Sequence, residues 1–144
     1  MLSDVPKSQS NNLDWLLRGL IERVPDTHSA LLLSSDGLKK AHCGLTIDEA
    51  DHLAAIASGL FSLARSAGTR FGGSNSTGVR QVVAELDDYL LFVSTAGAGA
   101  VLTVMAGRGA DAGVLGYEMS QLVKSVRPYL ATPARHVAAG DTAQ

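Results

Sequence analysis

Apolar residues recur at helical spacing in three segments of the chain, and this pattern predicts three helices. The first helix is predicted over residues 12–24. The second is predicted over residues 47–67 and opens with the capping-box sequence T-x-x-E. The third is predicted over about residues 111–127, where Pro128 is expected to interrupt it because proline lacks the N–H that a helix interior needs.

Short apolar runs between the helices predict five strands. Two strands near residues 28–35 and 38–43 flank Asp36-Gly37, a pair that favours a two-residue type I′ hairpin turn. The stretches VRQVVAEL, YLLFVSTA and AVLTVMAG follow a segment rich in Gly, Ser and Asn and predict an antiparallel meander. The last two are apolar on both faces, as central strands are, whereas the first alternates and suits a sheet edge. Strand 38–43 carries two lysines that also suit an edge.

The element order α-β-β-α-β-β-β-α predicts a three-layer α/β domain of the α+β type around a five-stranded antiparallel sheet. The two terminal helices share one face, so the middle helix is alone on the other. One helix is about 10–12 Å across and covers about half of five strands spaced about 4.8 Å apart. Something else must cover the rest of that face. The domain is predicted over residues 12–131, with a flexible N-terminal arm over 1–11 and a flexible C-terminal tail over 132–144.

The middle helix has an unusual distribution of side chains. Its apolar arc spans about half the helical wheel and is predicted to bury both Ile56 and Leu63. Its opposite face carries small residues at positions where a solvent-exposed helix would usually carry Glu, Lys or Gln. Because small side chains let helices approach closely, this pattern predicts a twofold dimer in which the middle helices pack together and edge strands pair. The predicted interface residues are Ala55, Gly59, Ser62, Ser66, Val79, Gln81 and Val83.

Composition limits the classes of function. The 144 residues suit one domain with a substantial core, and one cysteine excludes an internal disulfide framework or a multi-cysteine zinc site. A net charge of −2 does not indicate a surface that binds nucleic acid or an anionic membrane. No basic leader or long apolar run is present, so we expect a cytoplasmic protein without direct membrane insertion, which reaches a membrane only through partners.

Residues that could carry chemistry lack the required spacing. Asp48, Asp51 and His52 lie close together on one helix and are interpreted as a solvated surface cluster. Cys43 follows His42 in a strand, where neighbours point to opposite faces, so the two do not form a nucleophile–base pair. We therefore predict no catalytic residue, no metal and no cofactor.

The element order and two stretches of sequence resemble the roadblock/dynein light chain family. These stretches are V-P-x-x-x-x-A-L-L-L-S-x-D-G, from Val24 to Gly37, and F-G-G-S-N-S-T-G-V-R-Q-V, from Phe71 to Val82. The resemblance covers about residues 12–130 and is strongest to actinobacterial members encoded beside a Ras-like GTPase and a sensor histidine kinase. It implies a profilin-like architecture, a homodimer, and an adaptor or regulator of a small Ras-like GTPase, with the histidine kinase as a further partner. Some bacterial relatives stimulate GTP hydrolysis by repositioning the GTPase's own residues.

The partner surface is predicted on the middle-helix side, the one broad surface that a twofold dimer builds from both copies. Its predicted residues are Asp51, Ala55, Ser58 and Arg65. The alternative function is a small-molecule sensory domain of PAS-like or profilin-like build, although the strands offer mostly Leu, Val and Ala inward. A hydrolase that used Cys43 or His52 would need neighbouring residues to orient the reactive group, and the sequence contains no such arrangement.

Overall fold

Helices and strands follow one another in the predicted order. The computed structural model describes the backbone of residues 4–73 and 78–142 and the side chains of residues 13–73 and 78–130. The elements within these ranges are α1 (Asp4–Arg23), β1 (Thr27–Ser34), β2 (Lys39–Cys43), α2 (Ile47–Phe71), β3 (Gln81–Glu85), β4 (Tyr89–Gly97), β5 (Ala100–Gly107) and α3 (Ala112–Thr142). The fold is therefore the α+β architecture that the sequence predicts.

The five strands form one antiparallel sheet in the order β2-β1-β5-β4-β3. The central strand is β5, and nearly all of its residues are buried, as are those of β1 beside it. The edge strands are β2 and β3, which confirms both edge predictions. A strand buried on both faces needs a covering layer on each side, and the helices supply these layers.

The hydrophobic core of the described residues is divided between the two faces of the sheet. Helices α1 and α3 share one face, where Leu17, Leu20, Leu115 and Met119 pack against strand residues that include Leu102. Helix α2 is alone on the other face. Its buried residues pack against the other side of the same strands, and the cluster includes Ala50, Leu53, Ala54, Ala57, Phe61, Leu31, Leu33, Leu91, Val93 and Val101. The predicted distribution of helices is confirmed.

The turn of the β1–β2 hairpin differs from the sequence prediction. At the first hairpin only Gly37 has a positive φ, of 97°, and the N–H of Ser34 donates to the carbonyl of Leu38. The predicted two-residue type I′ turn at Asp36-Gly37 is therefore wrong, because that turn needs positive φ at both residues. The β4–β5 hairpin does meet this requirement, with φ of 51° at Ala98 and 73° at Gly99.

The turn that precedes β1 is tied to the turn that follows β5. Asp26 has a φ of 67°, its carbonyl accepts the N–H of Gly107 at 2.8 Å, and its carboxylate accepts the N–H of Gly109 at 2.9 Å. A Cβ at Gly107 would lie 2.5 Å from that carboxylate, so only glycine permits this approach. The contact fixes where the chain leaves the sheet and enters α3.

The helices are longer than predicted. Helix α1 begins at Asp4, so the backbone is helical in most of the segment predicted as a flexible arm. Pro6 lies in the first turn of this helix, where a missing N–H is tolerated. Helix α3 passes Pro128 and continues to Thr142, so the predicted interruption is wrong. Buried Val126 anchors the turn before that proline. The mobility of the two end segments stays a prediction. In the described ranges no helix is long and apolar enough to span a bilayer.

Ala98 gives a test of the β4–β5 turn. A non-glycine residue with positive φ costs about 1–2 kcal/mol, and Asn tolerates this conformation better than Ala. We expect Ala98→Asn to raise the free energy of unfolding by about 0.5–1 kcal/mol in chemical denaturation. The same substitution at Ala112, in the first turn of α3, should not stabilise the protein. A loss of stability with Ala98→Asn would contradict the type I′ assignment.

Candidate interaction surface on the middle helix

Helix α2 begins at a complete capping box. The Thr46 hydroxyl accepts the N–H of Glu49 at 3.1 Å, and the Glu49 carboxylate accepts the N–H of Thr46 at 2.9 Å. Two backbone donors that the helix itself leaves unpaired are thereby satisfied, so the start of the helix is well defined. The helix continues to Phe71, past the predicted end at residue 67. The capping box is confirmed.

The small residues of α2 form an exposed outer face. Ala55, Gly59, Ser62 and Ser66 are all exposed, and on an ideal helix they lie within an arc of about 60° that points away from the sheet. A Cβ built at Gly59 meets nothing within 4 Å. The protomer itself therefore gives no packing reason for small side chains here.

An apolar flank lies beside this small face, and it corrects the sequence prediction. Ile56 is 53% exposed and Leu63 is 70% exposed, although both were predicted to be buried. The reason is geometric: one helix packed on a sheet buries about 100° of its circumference, and the predicted arc is wider than that. The apolar arc in the sequence is wider than the surface that one helix can bury, and this excess width was the sequence signal for an exposed apolar flank. The flank faces β4 and β5, since Ile56 lines a cleft with Tyr89 and Met105.

The opposite flank of α2 is polar and tied to β2 and to the β1–β2 turn. Asp51 forms an ion pair with Lys39 of β2 at 2.7 Å. Ser58 is half-buried, and its hydroxyl donates to the carbonyl of Ser35 at 3.0 Å. The Arg65 guanidinium lies over the Phe61 ring, 5.2 Å from its centroid. Of the predicted partner set, Asp51, Ser58 and Arg65 thus border this flank, whereas Ala55 lies on the outer face.

Strand β3 has an open edge next to the apolar flank. Among the described residues it pairs only with β4. Gln81 and Val83 are exposed within the strand, but Val79 precedes it and is half-buried against the α2 cluster, so the observed strand is shorter than predicted. Val83 is paired with Phe92, whose ring belongs to the α1–α3 side, so Val83 faces that side of the sheet.

Charges are segregated along α2. Asp48, Glu49 and Asp51 lie in its first turns, and Arg65 and Arg70 lie in its second half. This arrangement complements the helix dipole, because the start of a helix favours anions and its end favours cations. It also makes the two halves of the helix opposite in sign.

The residues considered for chemistry are not brought together. Cys43 is half-buried against the α1–α3 cluster, whereas His52 is exposed on α2, with its Nδ1 3.7 Å from an Asp48 oxygen. No group of three or more His, Cys, Asp or Glu in the described part of the chain is arranged to hold a metal ion. Neither arrangement places a nucleophile beside an oriented base.

Clefts open on the surface at both helical layers. One of about 380 Å³ lies between α1 and α3 beside Trp15, and one of about 540 Å³ lies along the outer face of α2 beside Arg65 and Arg70. Another, of about 400 Å³, lies between the first half of α2 and the ends of β1, β4 and β5. Sequence periodicity carries no signal for such clefts, because they depend on how far apart the elements pack.

These features define a three-layer α/β/α domain whose exposed apolar surface runs along one helix flank towards an open strand edge. A family model for the Roadblock/LC7 domain matches residues 13–106. The chain belongs to the Roadblock/LC7 family. Comparison with curated proteins gives no significant match.

Solved structures of the same family are similar over most of the chain. One Roadblock/LC7 domain from Streptomyces avermitilis is 67% identical, covers 83% of this chain and 98% of its own, and superposes with a TM-score of 0.80. A second domain from that organism is 39% identical, covers 78% and 96%, and has a TM-score of 0.63. The gliding protein MglB from Thermus thermophilus is 17% identical, covers 82% and 87%, and has a TM-score of 0.71, a likeness of fold.

The capping box of α2 can be tested directly. Thr46→Ala removes the side-chain acceptor of the Glu49 N–H, and we expect it to lower the free energy of unfolding by about 1 kcal/mol. Thr69→Ala is a matched control, because Thr69 is exposed on the outer side of the same helix. Urea denaturation of both variants measures the difference. Equal stabilities would show that the box does not hold the start of α2.

Proposed function

We propose that this chain is a homodimeric, non-enzymatic adaptor that binds a small Ras-like GTPase and modulates its nucleotide cycle or its location. The observation that carries the proposal is the exposed apolar flank of α2 beside the open edge of β3, in a chain of the Roadblock/LC7 family. We expect the protein in the cytoplasm, and at a membrane only through its partners.

Self-association is supported by what one protomer leaves exposed. A twofold axis beside β3 would place two α2 helices side by side and would pair the two β3 edges into one continuous sheet. Ile56 and Leu63 would then leave water together with the half-buried face of β3. Gly59 lies at the border between the apolar flank and the small face, and Ala55, Ser62 and Ser66 lie beside it; these short side chains let the two helices approach. Gln81 and Val83 lie on the pairing edge, and Val79 lies at its start.

A non-enzymatic role is supported by the arrangement of the titratable residues. Acyl or phosphoryl transfer needs a positioned nucleophile or base next to groups that stabilise developing charge. Cys43 and His52 lie on different elements and on opposite faces of the sheet, one half-buried and one exposed. A regulator acts by binding, and an exposed surface without reactive groups is sufficient for that.

The GTPase is proposed to dock on the outer side of the paired α2 helices. Ala55 lies on this side, with Asp51, Ser58 and Arg65 along its border. Short side chains lose little conformational freedom when they become ordered, so such a surface binds at low entropic cost. A partner that straddles the twofold axis blocks its own symmetry mate, which would give one GTPase per dimer.

The alternative function, a small-molecule sensor, has one observation in its favour. The cleft of about 400 Å³ falls within the size range of ligand sites and carries His28 and Tyr89 at its rim. It is an open cleft rather than an enclosed cavity. We favour the adaptor, because the apolar surface beside the cleft extends well beyond it along α2.

A substitution at Gly59 tests the dimer. A Cβ there meets nothing in the protomer, so Gly59→Arg should fold normally but place a long charged side chain between the two helices. We expect the wild-type protein to sediment as a dimer at micromolar concentration and Gly59→Arg as a monomer. Gly116→Arg is the matched control, since its Cβ position on α3 is equally open. A monomeric wild-type protein would overturn the proposed dimer.

Charge reversals test the docking side. Asp51→Lys and Arg65→Glu should weaken GTPase binding about fivefold or more while the dimer is retained, because both change the charge at the border of the docking surface. The Asp51–Lys39 pair is exposed, so its loss should cost little stability. Glu22→Lys and Lys124→Glu, on the α1–α3 side, should have little effect. Binding is titrated with purified Ras-like GTPases of the same cell in both nucleotide states. The reverse pattern would move the site to the α1–α3 side.

A further inference from the structure

We propose that the Phe71 ring of a second copy of this chain occupies the cleft beside the first half of α2. This inference rests on the proposed dimer and names the residue that anchors it. The cleft measures about 400 Å³, and Leu53, Ile56 and Met105 give it an apolar lining, with Tyr89 at its rim. Phe71 is 82% exposed at the end of the same helix. One protomer thus presents both an open apolar cleft and an unburied aromatic ring.

Phe71 continues the apolar flank of α2. Six residues follow one another at spacings of three and four and fall within an arc of about 80° on an ideal helix. They are Leu53, Ile56, Leu60, Leu63, Ala67 and Phe71; Leu53 is buried and Leu60 half-buried against the sheet, and the other four are exposed. A stripe with this spacing is the pattern by which one helix packs along another. The ring and the cleft therefore lie at the two ends of one continuous apolar stripe.

The length of the stripe places the ring over the cleft. An isologous contact overlays the stripe on itself in the antiparallel direction, with the axis at its midpoint near Ser62. Phe71 lies nine residues from Ser62, which is about 14 Å along the helix. Leu53, at the floor of the cleft, lies nine residues away on the other side. The Phe71 ring of the second copy is then opposite Leu53.

The charges on α2 favour the same direction of packing. In an antiparallel pair, the acidic first half of each helix lies beside the basic second half of the other, whereas a parallel pair would place like charges together. Arg70 precedes the Phe71 anchor, and Glu49 lies at the rim of the cleft that receives it. Charge complementarity thus selects the orientation that brings ring and cleft together.

Two polar residues that line the cleft, His28 and Glu49, already have partners within the protomer. His28 Nε2 lies 3.3 Å from an Asp26 oxygen, and the His28 ring contacts Tyr89 edge to face at 5.5 Å between centroids. The Glu49 carboxylate accepts the N–H of Thr46 in the capping box. Ser29 and His52 also line the cleft, and His52 Nδ1 lies 3.7 Å from an Asp48 oxygen. The other side chains of the lining are apolar or aromatic, which suits an aromatic ring.

A tryptophan probe tests the location of the ring. Trp15 is the only tryptophan of the chain, so Trp15→Phe combined with Phe71→Trp places the single fluorophore at position 71. The emission is recorded across a dilution series together with the sedimentation coefficient. We expect a blue-shifted emission in the dimer that moves to the red as the protein dissociates. An emission typical of water-exposed tryptophan in a protein that sediments as a dimer would overturn the inference and leave the dimer standing.

Truncation of the ring measures its contribution. Because Phe71 is exposed in the protomer, Phe71→Ala should leave folding intact and raise the dimer dissociation constant by about 10- to 100-fold. Leu38→Ala is the control, since Leu38 is also largely exposed but lies at the β1–β2 turn beside the other flank of α2. An unchanged dissociation constant for Phe71→Ala would overturn the anchor and leave the cleft open to a small molecule. A wild-type protein that is monomeric would overturn both this inference and the proposed dimer.

Discussion

The middle of the sheet is apolar on both faces, and this constraint shapes the rest of the molecule. Strand β5 and its neighbour β1 must be covered from two sides because nearly all of their residues are buried. Within the described residues, two helices cover one face, but only α2 covers the other. A single helix is narrower than five strands, so Met105 and Val82 on the α2 side stay half-buried. The uncovered apolar surface is therefore concentrated between α2 and β3.

Each side of α2 has a different composition, and each composition matches what that side contacts. Alanines and Phe61 face the sheet and let the helix lie close to the strands. Asp51 and Ser58 tie one flank to β2 and the β1–β2 turn. The other flank is apolar and faces β4 and β5 across an open cleft, so the strands leave it exposed, and the outer face carries small residues. Large exposed apolar patches often mark contacts with another chain, which is the basis of our proposal that the protein self-associates through the apolar flank.

The sequence allowed the element order, the edge strands and the position of α2 to be predicted, because these follow from local periodicity and from simple rules of layer packing. It misplaced Ile56 and Leu63, because a helical wheel shows that a residue is apolar but not whether a strand lies beneath it. It also assigned the type I′ turn to Asp36-Gly37 rather than Ala98-Gly99. The turn propensity of Asp and Gly favoured Asp36-Gly37. The pairing register of β4 with β5, in contrast, imposes a positive φ on Ala98.

Local sequence determined the order of helices and strands, where α2 begins and which face of each element is apolar, since caps and periodicity act within a few residues. The tertiary structure alone decided which apolar positions remain exposed, as at Leu63 and Phe71, and that Asp26 meets the turn after β5. These outcomes depend on the distances and angles between elements that are far apart in the chain. Packing geometry sets those distances, and no local pattern of residues encodes them.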